Sequence, residues 1–136
     1  MIRKKVHQDS ILIVDDEIDI ARIIKRFLDD YGFHVSAFAN PLLALKEFYN
    51  NFDSYNLIIT DYNMKDMTGF EFSKLAKERN PSIKVLLSSA QDIDNLEFRK
   101  QAAATNVDCI LQKPYSILSL IEIIEGKETN LAQHFI

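Results

Sequence analysis

Five short runs of aliphatic and β-branched residues alternate with five longer segments of helical period, and this alternation leaves very few architectures open. The runs are Ile11-Leu12-Ile13-Val14, Phe33 to Phe38, Leu57-Ile58-Ile59, Ile83-Lys84-Val85-Leu86-Leu87 and Val107 to Leu111. Runs of this length and composition read as strands, and a continuous apolar run marks a strand buried on both faces. Strands that alternate with helices favour a parallel sheet covered on both sides and joined by right-handed crossovers. An eight-fold barrel of such units needs about 250 residues, whereas this chain has 136. The expected fold is α/β, a single doubly wound five-stranded parallel sheet.

The helical segments carry their own punctuation. From Glu17 onward Ile20, Ile24, Phe27, Leu28 and Tyr31 recur at helical spacing, and Gly32 suits a left-handed terminating turn. Asn40-Pro41 reads as an N-cap followed by proline at the first helical position, with Leu42, Leu45, Phe48 and Tyr49 expected inward. Thr68-Gly69-Phe70-Glu71 has capping-box spacing ahead of Phe72, Leu75 and Ala76, and Asn80-Pro81 ends that helix. A fourth helix is expected to open at Gln91-Asp92, to face inward with Ile93, Leu96 and Ala103, and to end on a left-handed Asn106. Ser116 is expected to cap a fifth, whose stripe is Ile117, Leu120, Ile121 and Ile124 and whose terminator is Gly126. This divides the chain into a loose N-terminal segment (1–9), one domain (10–126) and a tail (127–136).

Composition narrows the function classes. Hydrophobic residues make up 47% of the chain, enough for a full core, and 3 Gly with 3 Pro argue against long disordered stretches. A net charge of −4 gives no electrostatic reason to bind nucleic acid. No run approaches the ~20 apolar residues of a membrane span, and the basic start, Arg3-Lys4-Lys5, lacks the apolar stretch of a secretory signal. The single cysteine, Cys109, lies in an apolar strand and reads as a buried hydrophobe. His7, His34 and His134 are scattered and read as ordinary polar residues. A cytoplasmic protein is expected.

Polar residues gather where the strands should stop. Asp15 and Asp16 follow the first run, Asp61 the third, Ser89 the fourth and Lys113 the fifth. In an open parallel sheet the ligand crevice lies beyond the carboxyl ends of the strands. Singly, each residue has a plainer use: acidic residues favour the positive end of a helix, serine caps, and lysine is solvated. Together at one edge they ask for more. Three carboxylates repel one another unless a cation or a proton intervenes. Oxygen-only ligands suit Mg²⁺, with Mn²⁺ the alternative. A lysine and a serine hydroxyl supply what a transferred phosphoryl group needs around its oxygens.

Asp15-Asp16, Asp61, Ser89-Ala90 and Lys113-Pro114, with Asp61-Tyr62-Asn63-Met64 and Gly69 beyond, closely resemble the receiver domain of two-component response regulators over roughly Ser10 to Gly126. The resemblance implies a flavodoxin-like fold with strand order 2-1-3-4-5. It implies that Asp61 is a phosphoacceptor taking a phosphoryl group from a sensor histidine kinase or a phosphotransfer protein. Asp16 and Asp61 would bind Mg²⁺ directly, with the backbone carbonyl of Asn63, and Asp15 through a water. Lys113 would pair with Asp61 or a phosphoryl oxygen, and Ser89 would hydrogen-bond the phosphoryl group and move the loop that follows it. Ala90 would add an amide donor, and Asn63 and Gln91 would flank the path of attacking water. The output would be a switched face that binds a downstream protein.

Three positions depart from the family pattern. Ile110 stands where many receivers carry a switching aromatic, Lys65 where proline is usual, and Asn106 where glycine is frequent. An aliphatic residue at 110 implies a different readout on the face of helix four, strand five and helix five. Leu118 and Ile123, expected to turn away from the fifth helix's core stripe, suggest that this face could serve homodimerisation, with Leu131, Phe135 and Ile136 of the tail. Two other readings use the same residues. One is a Mg²⁺-dependent phosphatase with an aspartate nucleophile, which would want a second acid at position 63 where the chain has asparagine. The other is a receiver-like scaffold that binds protein without phosphorylation. The signalling phosphoacceptor, not a turnover enzyme, accounts for the whole set of residues. No basic recognition helix is present for direct nucleic-acid binding.

Overall fold

The computed structural model describes residues 9–126 and the backbone of Gln133–Phe135. Strand β1 (Ser10–Val14), helix α1 (Ile18–Tyr31), β2 (His34–Phe38), α2 (Pro41–Asn50), a short 3₁₀ turn (Phe52–Ser54), β3 (Leu57–Asp61), α3 (Gly69–Arg79), β4 (Lys84–Ser89), α4 (Leu96–Ala104), β5 (Cys109–Gln112), α5 (Ile117–Ile124) and β6 (Gln133–Phe135) follow in order. The five parallel strands lie in the order 2-1-3-4-5. The chain's expected fold is what forms.

Side chains alternate across a pleated strand, so each central strand feeds two cores. Leu12, Val14, Ile58, Val85, Leu87 and Ile110 point to one side, where Ala44, Phe48, Phe72, Ala76, Phe98 and Ala102 of α2, α3 and α4 meet them. Ile11, Ile13, Ile59, Leu86, Cys109 and Leu111 point to the other, against Ala21, Ile24, Leu28, Leu120 and Ile121 of α1 and α5. Each fully buried aliphatic side chain contributes about 1.5–3 kcal/mol, and this double burial pins the register.

The caps stand as the sequence indicates. The Asn40 side chain accepts from the N–H groups of Leu42 and Leu43, Thr68 from Glu71 and Ser116 from Ser119. Gly32, Asn106 and Gly126 take the left-handed conformation.

Several details differ from expectation. The fourth helix begins after an Asn95 N-cap, so Ile93 is buried from a loop, and the helix faces inward with Phe98 and Ala102 while Leu96 and Ala103 are exposed. In α1 the inward residues are Ala21, Ile24 and Leu28, and Ile20 and Phe27 reach solvent. In α2 they are Pro41, Ala44 and Phe48, leaving Leu42 and Tyr49 outside. The three helices share one feature: each buries an alanine completely (Ala21, Ala44 and Ala102) beside a larger apolar side chain. Ile123 also packs against the α1–α5 core, while Leu118 is exposed.

The C-terminal stretch read as a tail contains β6, which pairs antiparallel with β5 through Cys109–Phe135, Ile110–His134 and Leu111–Gln133. An edge strand offers unpaired backbone groups, and β6 takes them up. The expected loose segment 1–9 lies, except for Asp9, outside the described residues, as does the rest of the tail. Among the described residues no helix is long and apolar enough to cross a membrane.

Candidate functional site

Parallel pairing brings the polar residues together, because every strand ends at the same edge. Asp61 lies beside Ser88, and Ser89 beside Gln112. Asp15, Asp16 and Asp61 each present a carboxylate oxygen within 4.8 Å of the others. Lys113 Nζ lies 2.9 Å from Asp61 Oδ1 and 3.8 Å from Asp15 Oδ2. Its peptide bond to Pro114 is cis.

Burial makes these charges consequential. Asp15 is 3% exposed, Asp61 8% and Ser89 1%. Desolvation pushes the Asp15 carboxyl up to about 6, with the Glu17 N–H (2.9 Å from Oδ1) and Lys113 opposing the rise and Asp61 adding to it. At Lys113 burial works against the charge, but the hydrogen bond and charge of Asp61, and then Asp15, outweigh it and hold the ammonium above its ordinary range. Asp16 is exposed and accepts the Lys65 N–H on Oδ2 at 3.0 Å. Lys65 therefore touches the acidic set through a donor that proline at this position would lack.

A cleft of about 340 Å³ opens over the cluster, lined by Glu17, Asp61, Asn63, Ala90, Gln91 and Lys113 among others. Ser89 Oγ faces the loop and accepts the Gln91 N–H at 3.0 Å. Ile110 is fully buried in the α2–α3–α4 core and does not line this cleft.

Three features of the site are not apparent from residue spacing. Tyr62, next to Asp61, packs edge-on against Phe70 of α3 and Phe98 of α4, with ring centroids 5.1 Å away in both cases. Gln112 sends its amide into the β4–α4 loop, donating to the Ser89 carbonyl and accepting the Ile93 N–H. Gly69 presses on β3 and β4: a Cβ there would sit 2.5 Å from the Asp61 carbonyl oxygen and 2.8 Å from Leu87 Cδ1. Glycine suits so close a backbone approach because it carries no Cβ. Gly69→Ala is expected to cost about 1–3 kcal/mol through overpacking, read as a lower urea midpoint. An unchanged midpoint would mean that α3 shifts freely.

A doubly wound sheet with an acidic, lysine-bearing cluster at its carboxyl edge defines the class, and comparison with known proteins narrows it. The family model for the response regulator receiver domain matches residues 11–125. Chemotaxis protein CheY of Pseudomonas aeruginosa is 36% identical over 119 residues, covering 85% of this chain and 93% of that one. Transcriptional regulatory protein ZraR of Klebsiella oxytoca is 36% identical over 83 residues, 61% of this chain but 18% of that protein. The crystal structure of a CheY-like receiver domain protein from Methanospirillum hungatei superposes with a TM-score of 0.81 at 28% identity, covering 88% of this chain and 93% of that one. The chain belongs to the response regulator receiver domain family.

Proposed function

We propose that this chain is a phosphoacceptor of a two-component or phosphorelay system and that Asp61 carries the phosphoryl group. The observation behind this reading is the pairing of Asp61 with Lys113 at 2.9 Å inside a three-carboxylate cluster. Asp61 is the buried acid that the lysine contacts most closely, and its carboxylate opens onto the cleft.

The donor set fits a hard divalent cation. All the side-chain ligands are carboxylate oxygens, and Asp15 is held so far from its ordinary range that a nearby positive charge would relieve it. Asp16, Asp61 and the Asn63 carbonyl would hold Mg²⁺ or Mn²⁺, with Asp15 acting through water. When bound, the cation neutralises the cluster and draws charge from the phosphoryl oxygens.

The protein's own residues do the remainder. An Asp61 carboxylate oxygen bonds to phosphorus as the phosphorus–nitrogen bond of a phosphohistidine breaks, and the imidazole leaves with the electron pair. The carboxylate is the ionised form, so no general base is needed. Lys113 orients Asp61 beforehand and then meets the added negative charge. Ser89 Oγ and the Ala90 N–H donate to phosphoryl oxygens, drawing the β4–α4 loop inward, and Asn63 and Gln91 control water access from the rim. The protein assists its own phosphorylation and dephosphorylation and passes the signal on by binding a cytoplasmic partner. Beside the cleft, Ile20, Ile23, Pro114, Tyr115 and Ile117 line an apolar depression of about 560 Å³. It gives a phosphodonor protein a place to seat next to Asp61.

Intact mass after incubation with Mg²⁺ and acetyl phosphate tests the reading. A labile adduct of about 80 Da, one phosphoryl group, is expected and should be absent from Asp61→Asn. An adduct that persists in the variant would move the acceptor elsewhere, and multiple turnover of a phosphate ester by the wild-type protein, lost in Asp61→Asn, would point to an enzyme instead.

A further inference from the structure

The β4–α4 loop, residues 90–95, hangs between two polar anchors. At its start the Gln91 N–H rests on Ser89 Oγ at 3.0 Å. Further along, the Ile93 N–H rests on Gln112 Oε1 at 3.2 Å. The same amide group donates from Nε2 to the Ser89 carbonyl at 3.1 Å and to the Lys113 carbonyl at 3.3 Å. The Ser89 carbonyl also accepts the Lys113 N–H at 2.8 Å, so the end of β4 is clamped to β5 at this point. Ile93 is 3% exposed and belongs to the core that holds Phe98 and Ile110. Gln112 thus joins three things at once: the backbone of Ser89, the backbone of Lys113 and the middle of the loop.

We infer that Gln112 is a positioning residue that latches the β4–α4 loop to β5 in the unphosphorylated form. The inference rests on the phosphoacceptor reading above. When Ser89 Oγ turns to the phosphoryl group, the Gln91 anchor is given up and Gln112 is the one of the two polar anchors that remains. Drawing the loop inward then pulls the Ile93 N–H away from Oε1, while the clamp on Ser89 and Lys113 stays. Ile110, fully buried in the same core as Ile93, has no side-chain polar atom to take part. The state of the site is passed to β5 through an amide at 112 in place of an aromatic at 110. Breaking one backbone-to-amide hydrogen bond is part of the cost of switching, so removing it in advance favours the switched form.

The test uses the full chain with Mg²⁺ and beryllofluoride as the phosphoryl analogue, comparing wild type, Gln112→Leu and Asp61→Asn. Gln112→Leu is expected to bind beryllofluoride about three- to tenfold more tightly, the range set by one ordinary hydrogen bond. In wild type without the analogue the Ile93 amide is expected to exchange slowly with solvent. It should exchange faster both in wild type with the analogue and in Gln112→Leu without it. A purely structural role would lower the unfolding midpoint of Gln112→Leu and leave its beryllofluoride affinity unchanged, which would overturn the latch. Tighter binding with a still-protected Ile93 amide in wild type plus analogue would also overturn it. Failure of wild type itself to bind beryllofluoride, with Asp61→Asn indistinguishable from it, would overturn the phosphoacceptor reading and the latch together.

Discussion

Asp15→Asn is expected to raise the stability of the chelator-treated protein by about 3 kcal/mol at pH 7. The Asp15 carboxyl lies at about 6 in the folded protein against 3.8 for an ordinary aspartate. Between these values the folded state binds the proton more tightly than the unfolded state does. The stability that Asp15 contributes is therefore greatest at low pH, falls as pH rises through that window and stays at its lowest above about 6. Asparagine keeps an oxygen for the Glu17 N–H and carries no charge to desolvate. The difference between the two proteins isolates Asp15 from every other titrating group, so it is the quantity to follow, by urea unfolding from pH 4 to pH 8. It should widen as pH rises to 6 and then level off. Adding Mg²⁺ should shrink it, because the wild-type cluster gains more from a cation than the neutralised one. A difference that does not vary with pH would show that Asp15 is better solvated than its burial indicates.

Phe98→Ala is the larger structural perturbation, with an expected cost of about 3–5 kcal/mol for truncating a buried aromatic. Phe98 is 5% exposed and packs edge-on against Tyr62 and tilted against Phe70, at centroid separations of 5.1 and 4.9 Å. It is the contribution of α4 to the cluster that grips the residue following Asp61. Its loss leaves a cavity between β3, α3 and α4 that alanine cannot fill. No atom of the carboxylate cluster belongs to it, so the phosphoryl adduct should still form on Asp61 while α4 loses its order. Unfolding midpoints give the stability change, and hydrogen exchange along Leu96–Ala104 gives the loosening. A cost under about 1 kcal/mol would mean that Tyr62 and Phe70 close the gap by themselves.

Much of this protein is legible in its sequence because the relevant signals are local. Burial on both faces demands uninterrupted apolar runs, and Ile11–Val14 and Leu57–Ile59 supply them. Caps are local too, since Asn40, Thr68 and Ser116 each bond to an N–H two or three residues away. The candidate site was readable for the same reason. A parallel sheet places all strand ends on one edge, so Asp15, Asp61, Ser89 and Lys113 could be gathered without knowing a single distance.

What the sequence could not decide depends on neighbours far along the chain. In α1, two overlapping apolar stripes both satisfy helical spacing. Only packing against the sheet and α5 selects the one through Ala21, Ile24 and Leu28. Ile20, Ile23 and Phe27 are left on the surface, and Ile20 and Ile23 help to form the depression beside Asp61. The start of α4 lies later than the periodic pattern indicates because Ile93 is held by Gln112, 19 residues away, and not by a helical turn of its own. Likewise β6 forms because β5 has an unpaired edge, a property of the sheet and not of the segment Gln133–Phe135. Periodicity within a segment determined which elements form and at which end of the sheet chemistry can occur. Tertiary packing decided which face of each helix turns inward, and which side chain ties the loop after β4 to β5.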